Sequence, residues 1–222
     1  MKFDTKILTK TALFDGMTLE QIESLLPCLG AVIKEYEKNQ IIFLEGDSAT
    51  KFGIVLDGSV RIIKEDFNGN RSVLASVERY ELFAESYACS DEKYYPVSVV
   101  SEGKSVVMVI EIQRIYSSCI NSCDIHRLLF RNLMKIIARK NIIFNRKIDF
   151  MSRRTTKEKI MAYLYSEAER AGSNSFTIPF DRQALADYLG VERSAMSSEI
   201  GKLRDEGVIE VDKSYFKILK NS

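Results

Sequence analysis

Apolar and polar positions change rhythm three times along the chain. From Ala31 to Glu111 the apolar residues come in short runs rich in Val, Ile and aromatics: Ala31–Tyr36, Gln40–Leu44, Phe52–Leu56, Ser59–Lys64, Arg71–Val77, Pro96–Ser101 and Ser105–Glu111. Turn signals separate them, at Glu45-Gly46-Asp47, Asp57-Gly58, Asn68-Gly69-Asn70 and Glu102-Gly103-Lys104. Asp57-Gly58 and Asn68-Gly69 suit hairpin turns, because Gly and Asn tolerate positive φ. Many short strands at regular spacing predict a sandwich, barrel or jelly roll. Ahead of them, Thr18-Leu19-Glu20-Gln21 reads as a capping box opening a short helix through about Cys28. Helices resume near Gln113.

The second rhythm is helical. No Pro or Gly occurs from Asp124 to Met151. Leu129, Leu133, Ile136, Ile137, Ile143, Phe144 and Ile148 fall in a helical stripe. A helix of this length spans about 40 Å at 1.5 Å per residue. Such a helix either packs against a second copy of the chain or serves as a spacer buried within one chain. Ser152-Arg153-Arg154 breaks the pattern, and Thr155 with Glu158 forms a second capping box for a helix to about Ala171.

The third rhythm pairs two short helices. Ala184, Leu185, Tyr188 and Leu189 give the first an apolar stripe, and Gly190 ends it. Val191 points inward. A second helix runs from about Arg193 to Asp205, with Met196, Ile200 and Leu203 at core spacing. Its other face carries Arg193, Ser194, Ser197, Ser198 and Lys202. Apolar behind, polar and basic in front, and preceded by a tight turn, such a helix fits a DNA major groove. An ordinary helical hairpin has the same periodicity. The flanking pattern favours the DNA reading. Phe176–Phe180 predicts a strand leading in, and Val208–Val211, a turn at Asp212-Lys213-Ser214 and Tyr215–Leu219 predict a hairpin wing.

Composition refines this picture. The 222 residues suffice for two domains, and 45% hydrophobic with 28% charged residues is the balance of a soluble protein with a proper core. Net charge is +1, but eleven basic residues between Arg127 and Lys159 face only Asp149 and Glu158. That surplus suits nucleic acid or a solvated helix face. No secretory leader and no membrane-spanning run are expected, so the predicted compartment is the cytoplasm. Cys28, Cys89, Cys119 and Cys123 do not form a small disulfide scaffold. Cys119, Cys123 and the lone His126 are either a partial metal site or structural residues, and no metal is assigned. One histidine in the chain argues against a metalloenzyme in the roll, and no catalytic residues are expected.

Roll, long helix and winged helix-turn-helix occur here in the order found in the family of the cyclic-AMP receptor protein and the fumarate–nitrate regulator. Leu13-Phe14, Tyr36-Glu37-Lys38-Asn39-Gln40, Glu45-Gly46-Asp47 and Leu56-Asp57-Gly58-Ser59-Val60 resemble the family's roll signature. Ile178-Pro179-Phe180-Asp181-Arg182-Gln183-Ala184-Leu185-Ala186 resembles its lead into the DNA-reading motif. The resemblance covers nearly the whole chain. It implies an α+β fold in three parts. These are a cyclic-nucleotide-binding-like β-roll over residues 1–123, a dimerisation helix over 124–151 and a winged helix-turn-helix over 152–222. It also implies a homodimeric transcription regulator that binds a two-fold symmetric site on double-stranded DNA, and that meets RNA polymerase if it activates.

Departures from the family define the expected chemistry. Its cyclic-nucleotide binders carry a Gly-Glu-Leu phosphate cassette and then an Arg-Ser pair. Here Phe83-Ala84-Glu85-Ser86 fills the cassette and Tyr95-Pro96 replaces Arg-Ser. Loss of the arginine removes the charge-assisted hydrogen bonds to the phosphate, so tight cyclic-AMP binding is not expected. The oxygen-sensing branch holds an iron–sulfur cluster on an N-terminal run of cysteines. Only Cys28 lies there, so no cluster is expected. A neutral or aromatic effector fits Tyr87, Tyr94 and Tyr95 around the altered cassette, with Phe83, Leu129 and Leu133 as walls; a packed core is the alternative. Lys140 and Asn141 fall near the positions that reach the nucleotide base in the binders. Lys140 is a replacement charge or a solvated or DNA-ward lysine.

On the second helix, the resemblance places Arg193, Ser194 and Ser198 where the receptor protein uses Arg, Glu and Arg on base edges. Arg193 is the expected guanine contact. Ser197 and Lys202, with Arg182 and Gln183 on the first helix, are phosphate candidates.

Overall fold

The computed structural model describes residues 4–66, 69, 71–116 and 124–219. Contacts divide the chain into two compact units, Met1–Arg139 and Lys140–Ser222. The division falls within the long helix.

The first unit opens with two 3₁₀ turns, Thr5–Lys10 and Ala12–Phe14, and helix α1 (Leu19–Leu29). The capping box is formed: Thr18 accepts from the Gln21 amide, Gln21 accepts from the Thr18 amide, and Gly30 closes the helix at φ 56°. Then come β1 (Val32–Tyr36), β2 (Ile41–Phe43), β3 (Lys51–Asp57), β4 (Val60–Glu65), β5 (Arg71–Val77) and β6 (Leu82–Phe83). The short helix α2 (Glu85–Ala88), β7 (Ser98–Ser101), β8 (Ser105–Glu111) and α3 (Gln113–Tyr116) complete the roll, and α4 (Asp124–Ser152) follows. Two antiparallel sheets face each other, ordered β1-β8-β3-β6 and β2-β7-β4-β5.

Strand alternation builds two cores from one sheet. On β3, Phe52, Ile54 and Leu56 point outward beneath α1 and the first turns of α4, while Val55 points into the roll. On β8, Met108 and Ile110 go out and Val107 goes in. Buried Asn132 fixes α4 to the N-terminal turns: its side-chain amide donates to the carbonyls of Leu13 (3.1 Å) and Asp15 (2.8 Å).

Asp57-Gly58 is not a hairpin. β3 and β4 lie in different sheets, and the turn carries the chain from one to the other. The turn between β7 and β8 makes the reverse crossing beside it. Gly58 sits at φ 74°, and a Cβ there would come within 2.5 Å of the Lys104 carbonyl oxygen. Ser105 Oγ ties the corners by donating to the Ser59 carbonyl at 2.9 Å. The β4–β5 pair is a true hairpin. Asn68 and Asn70 of its loop lie outside the described residues.

The second unit holds the end of α4, then α5 (Thr156–Ala171), β9 (Ser175–Thr177), α6 (Arg182–Leu189), α7 (Arg193–Asp205), β10 (Ile209–Asp212) and β11 (Tyr215–Ile218). The Thr155–Glu158 capping box is formed as the sequence indicated. The three strands pair in the order β10-β11-β9, and Lys213 takes a left-handed φ of 50° at the wing turn. Phe150, Leu164, Leu185, Leu189, Met196, Ile200, Leu203 and Phe216 share its core. No helix among the described residues is long and apolar enough to cross a membrane.

Candidate nucleic-acid interface and the interior of the roll

Asp181 opens α6 by accepting from the Ala184 amide at 2.8 Å. Gly190 closes it at φ 61°, a left-handed conformation that suits glycine. Leu185, Ala186 and Leu189 are its buried face; Ala184, expected in the stripe, is exposed, and Ala186 takes its place. The chain then enters α7. Met196, Ile200 and Leu203 are buried, which turns the opposite face outward. Arg193, Ser194, Ser197, Ser198 and Lys202 all lie exposed on α7, with Lys202 Nζ 3.2 Å from Glu199.

The two α6 candidates have other partners. The Arg182 guanidinium lies 5.1 Å above the Phe216 ring, and burial pushes its pKa down. Gln183 donates to Asp187 at 2.9 Å and remains exposed. Several cations of the basic run are likewise engaged: Arg153 with Asp149 at 2.7 Å, Lys157 with Glu206 at 2.9 Å, and Lys147 at 5.3 Å over the Tyr188 ring. Surface pairs of this kind are worth little energy, but they offset part of the positive field. Pattern reasoning passed over two further exposed residues of this unit. Lys213 is exposed at the wing tip, and Glu192 caps α7. Glu192 escaped notice because glutamate is not a favoured N-cap.

The roll interior differs more from expectation. Phe83, Ala84 and Tyr95 do come together, in the core between the two sheets with Phe43, Val55, Val99 and Val107. The Tyr95 ring stacks on Phe43 with centroids 5.0 Å apart, and Phe83 meets Phe43 at 5.4 Å. The Tyr95 hydroxyl donates to the Lys51 carbonyl at 2.5 Å and accepts from the Lys51 amide at 3.1 Å. Burial pushes its pKa up. The far end of the Phe83 ring crowds Gly53, where a Cβ would come within 2.0 Å of it. Glu85 is buried at the start of α2, whereas Ser86 and Tyr94 are exposed and Tyr87 is half-buried.

Leu129 and Leu133 are not walls of this space. They belong to the core on the far side of the β1-β8-β3-β6 sheet, with α1 and the N-terminal turns. Lys140 and Asn141 belong to the second unit, where Asn141 accepts from Asn145 at 2.9 Å. A cavity of about 480 Å³ opens at the mouth of the roll, and Tyr36, Ile42, Phe43, Asp47, Lys51, Tyr95 and Val109 are among the residues that line it. The Cys89 thiol is half-buried, and burial pushes its pKa up. Cys119 and Cys123 lie outside the described residues.

Comparison with known proteins agrees with both units. A family model described as the cyclic nucleotide-binding domain matches residues 33–121, and one described as the Crp-like helix-turn-helix domain matches residues 158–221. The transcriptional activator protein FnrA of Stutzerimonas stutzeri is 22% identical over 82% of this chain and 75% of its own length. The nitrogen fixation regulation protein FixK of Azorhizobium caulinodans is 24% identical over 84% and 74%. The catabolite activator protein of Thermus thermophilus shares the fold, with a TM-score of 0.52 and 22% identity over 94% of both chains. With a cyclic-nucleotide-type roll ahead of a Crp-like reading motif, this DNA-binding transcription regulator belongs to the family of the cyclic-AMP receptor protein and the fumarate–nitrate regulator.

Proposed function

We propose that the chain works as a homodimer that reads a two-fold symmetric DNA site under control of a small molecule other than cyclic AMP. The observation that carries this reading is the outward face of α7, where Arg193, Ser194, Ser197 and Ser198 stand exposed over a fully buried apolar side. Arg193 supplies the paired donors that suit guanine O6 and N7. Ser197, Lys202 and the wing-tip Lys213, exposed and polar or basic, are the phosphate contacts in this reading, with Gln183 and Arg182 as lesser candidates.

Dimerisation is supported by α4. Positions 130, 134, 137, 141, 144, 148 and 151 alternate by four and three, the repeat of a two-stranded coiled coil. In the first unit Phe130 and Met134 are exposed, and in the second Phe144 and Ile148 are 63% and 64% exposed. Apolar side chains at this spacing are suited to a second copy of the same helix. A two-fold dimer matches half-sites one helical turn apart, about 34 Å.

The effector reading rests on the aromatic filling of the roll. Phe83 covers Gly53, and Tyr95, which stands where the binders carry the arginine, spends its hydroxyl on the β3 backbone. The mouth cavity, about 480 Å³, is of the size that holds a small ligand. Its Tyr36, Phe43 and Tyr95 favour an aromatic or apolar body, and Asp47 and Lys51 offer polar anchors. Neither an iron–sulfur cluster nor another cofactor enters this reading. The regulator acts in the cytoplasm, and as an activator it would also touch RNA polymerase.

Selection of genomic fragments by the purified protein tests the reading, with mass by sedimentation on the same sample. A palindrome with half-sites one turn apart, bound by a dimer, is the expected result. A monomer, or sequence-blind binding with and without a ligand library, would refute it. Cyclic AMP at about 1 mM should leave the melting temperature unchanged, since a ligand stabilises only what it binds.

A further inference from the structure

Recognition helices open most often on Ser, Thr, Asp or Asn, whose short side chains reach the free amides of the first turn. Here the cap is Glu192, and its longer side chain folds back over the helix start. Oε1 accepts from the Ser194 amide at 3.1 Å and Oε2 from the Ala195 amide at 3.1 Å. The Ser194 hydroxyl also donates to Oε2. Hydrogen bonds from the Ser194 hydroxyl and from the two amides hold the Glu192 carboxyl below its ordinary pKa, so it is ionised at neutral pH. Both residues are exposed.

This arrangement fixes the polarity of the α7 tip. A hydroxyl has one hydrogen to give, and Ser194 gives its hydrogen to Glu192. What Ser194 and Glu192 then present outward is lone pairs alone. Arg193, one residue away, presents donors alone. In the major groove guanine shows only acceptors, cytosine shows only its N4 amine, and adenine shows an N6 amine beside the N7 acceptor. An acceptor-only pair with a full negative charge matches cytosine, is opposed by guanine, and meets adenine N7 unfavourably. The two capped amides are also unavailable to a DNA phosphate, which a bare helix start would attract.

We propose that Glu192 and Ser194 act as one acceptor unit that selects cytosine beside the base pair contacted by Arg193. The inference rests on α7 being the helix that enters the groove. It assigns the discrimination that the short Ser194 could not supply alone to a carboxylate one turn-end earlier.

Randomised half-site selection with the full-length protein tests this in wild type, Glu192→Thr, Glu192→Gln, Ser194→Ala and Arg193→Ala. Thr keeps an N-cap and removes the charge, so circular dichroism and melting should not change. Wild type should select cytosine next to an Arg193-dependent guanine. Glu192→Thr should lose about tenfold of the cytosine preference, keep the guanine, and bind non-specific DNA more tightly. Ser194→Ala should weaken the same preference. Glu192→Gln, which can both donate and accept, should move the preference toward adenine. An unchanged base preference in Glu192→Thr overturns the inference and leaves Glu192 as a cap only, while the Arg193-dependent guanine keeps the DNA reading intact. Adenine at that position in wild type overturns the cytosine assignment. Sequence-blind binding by wild type overturns both the inference and the reading beneath it.

Discussion

Gly53→Ala tests whether the roll interior is as full as its aromatic packing indicates. Gly53 pairs with Phe83 across β3 and β6, and an added Cβ would lie 2.0, 2.5 and 2.6 Å from three atoms of the Phe83 ring. Ordinary contact begins near 3.4 Å, so ring or strand must move by about 1.4 Å. Phe83 is 1% exposed and meets Phe43 at 5.4 Å, so the ring has no free direction. Overpacking of this kind costs roughly 1–3 kcal/mol, and this clash belongs at the upper end. Alanine in a strand returns about 0.5–1 kcal/mol through lower chain entropy when unfolded. The net loss is about 2 kcal/mol, or roughly 4–8 °C in melting temperature for a chain of this size. Calorimetry of wild type, Gly53→Ala, Phe83→Leu and the double variant measures it. The double variant should recover at least about 1 kcal/mol relative to additivity, because the two residues share one space. Gly103→Ala is the control, since nothing lies within 4 Å of its Cβ position. A Gly53→Ala melting temperature within about 1 °C of wild type, or strict additivity, would show that the roll keeps free volume at the cassette and that Phe83 does not fill it.

Four further outcomes follow from the same structure. Arg193→Ala should weaken specific DNA binding by about 1–3 kcal/mol while sparing non-specific binding, and equal loss on both in a gel-shift titration would remove the assigned base contact. Ile148→Glu should shift the protein from dimer to monomer by sedimentation, because a charge replaces an apolar side chain in the repeat; an unchanged dimer would place the interface elsewhere. Tyr163→Phe should leave urea stability equal or raise it by up to about 1 kcal/mol, since the buried Tyr163 hydroxyl has no hydrogen-bond partner among the described residues; a clear loss would reveal one. Glu158, held below its ordinary pKa chiefly by the Thr155 amide, contributes stability present above the usual carboxylate value and lost as pH falls through its lowered one. Glu158→Gln should therefore flatten the urea midpoint between about pH 5 and 3, and an unchanged acid slope would contradict the capping argument.

The features legible in the sequence are those whose cause is local. Thr18 with Gln21 and Thr155 with Glu158 announce helices because the capping groups sit three residues apart in the chain. Met196, Ile200 and Leu203 announce one buried face because helical period alone sets it. Sheet membership is not local. Asp57-Gly58 carries an ordinary hairpin signal, yet β3 and β4 separate into different sheets, and the reason is the neighbouring corner at Ser101–Ser105 some 45 residues later. Two-residue β6 and four-residue α2 are too short to show a period, and both are held by tertiary contacts around Phe83 and Ala88.

The same distinction governs the site. Leu129 and Leu133 share a helical face with the proper spacing for a pocket wall, but spacing does not say which side of a sheet that face meets. The β1-β8-β3-β6 sheet stands between them and Tyr95, so the apolar stripe of α4 serves the outer core in the first unit. Further along the helix, Phe144 and Ile148 are exposed, and they belong to the repeat that includes Phe130 and Met134. Phe130 and Met134 stand bare beside the buried Leu129 and Leu133, so the exposed repeat is distinct from the core stripe and is apolar surface that the described residues leave uncovered. Polarity at the tip of α7 was hidden for a related reason. Glu192, Arg193 and Ser194 read as an ordinary charged and polar run, and the donor or acceptor character of Ser194 depends on where one hydrogen points. Removing the charge at Glu192 while keeping the cap is therefore the change that separates a helix-start residue from a base-reading one.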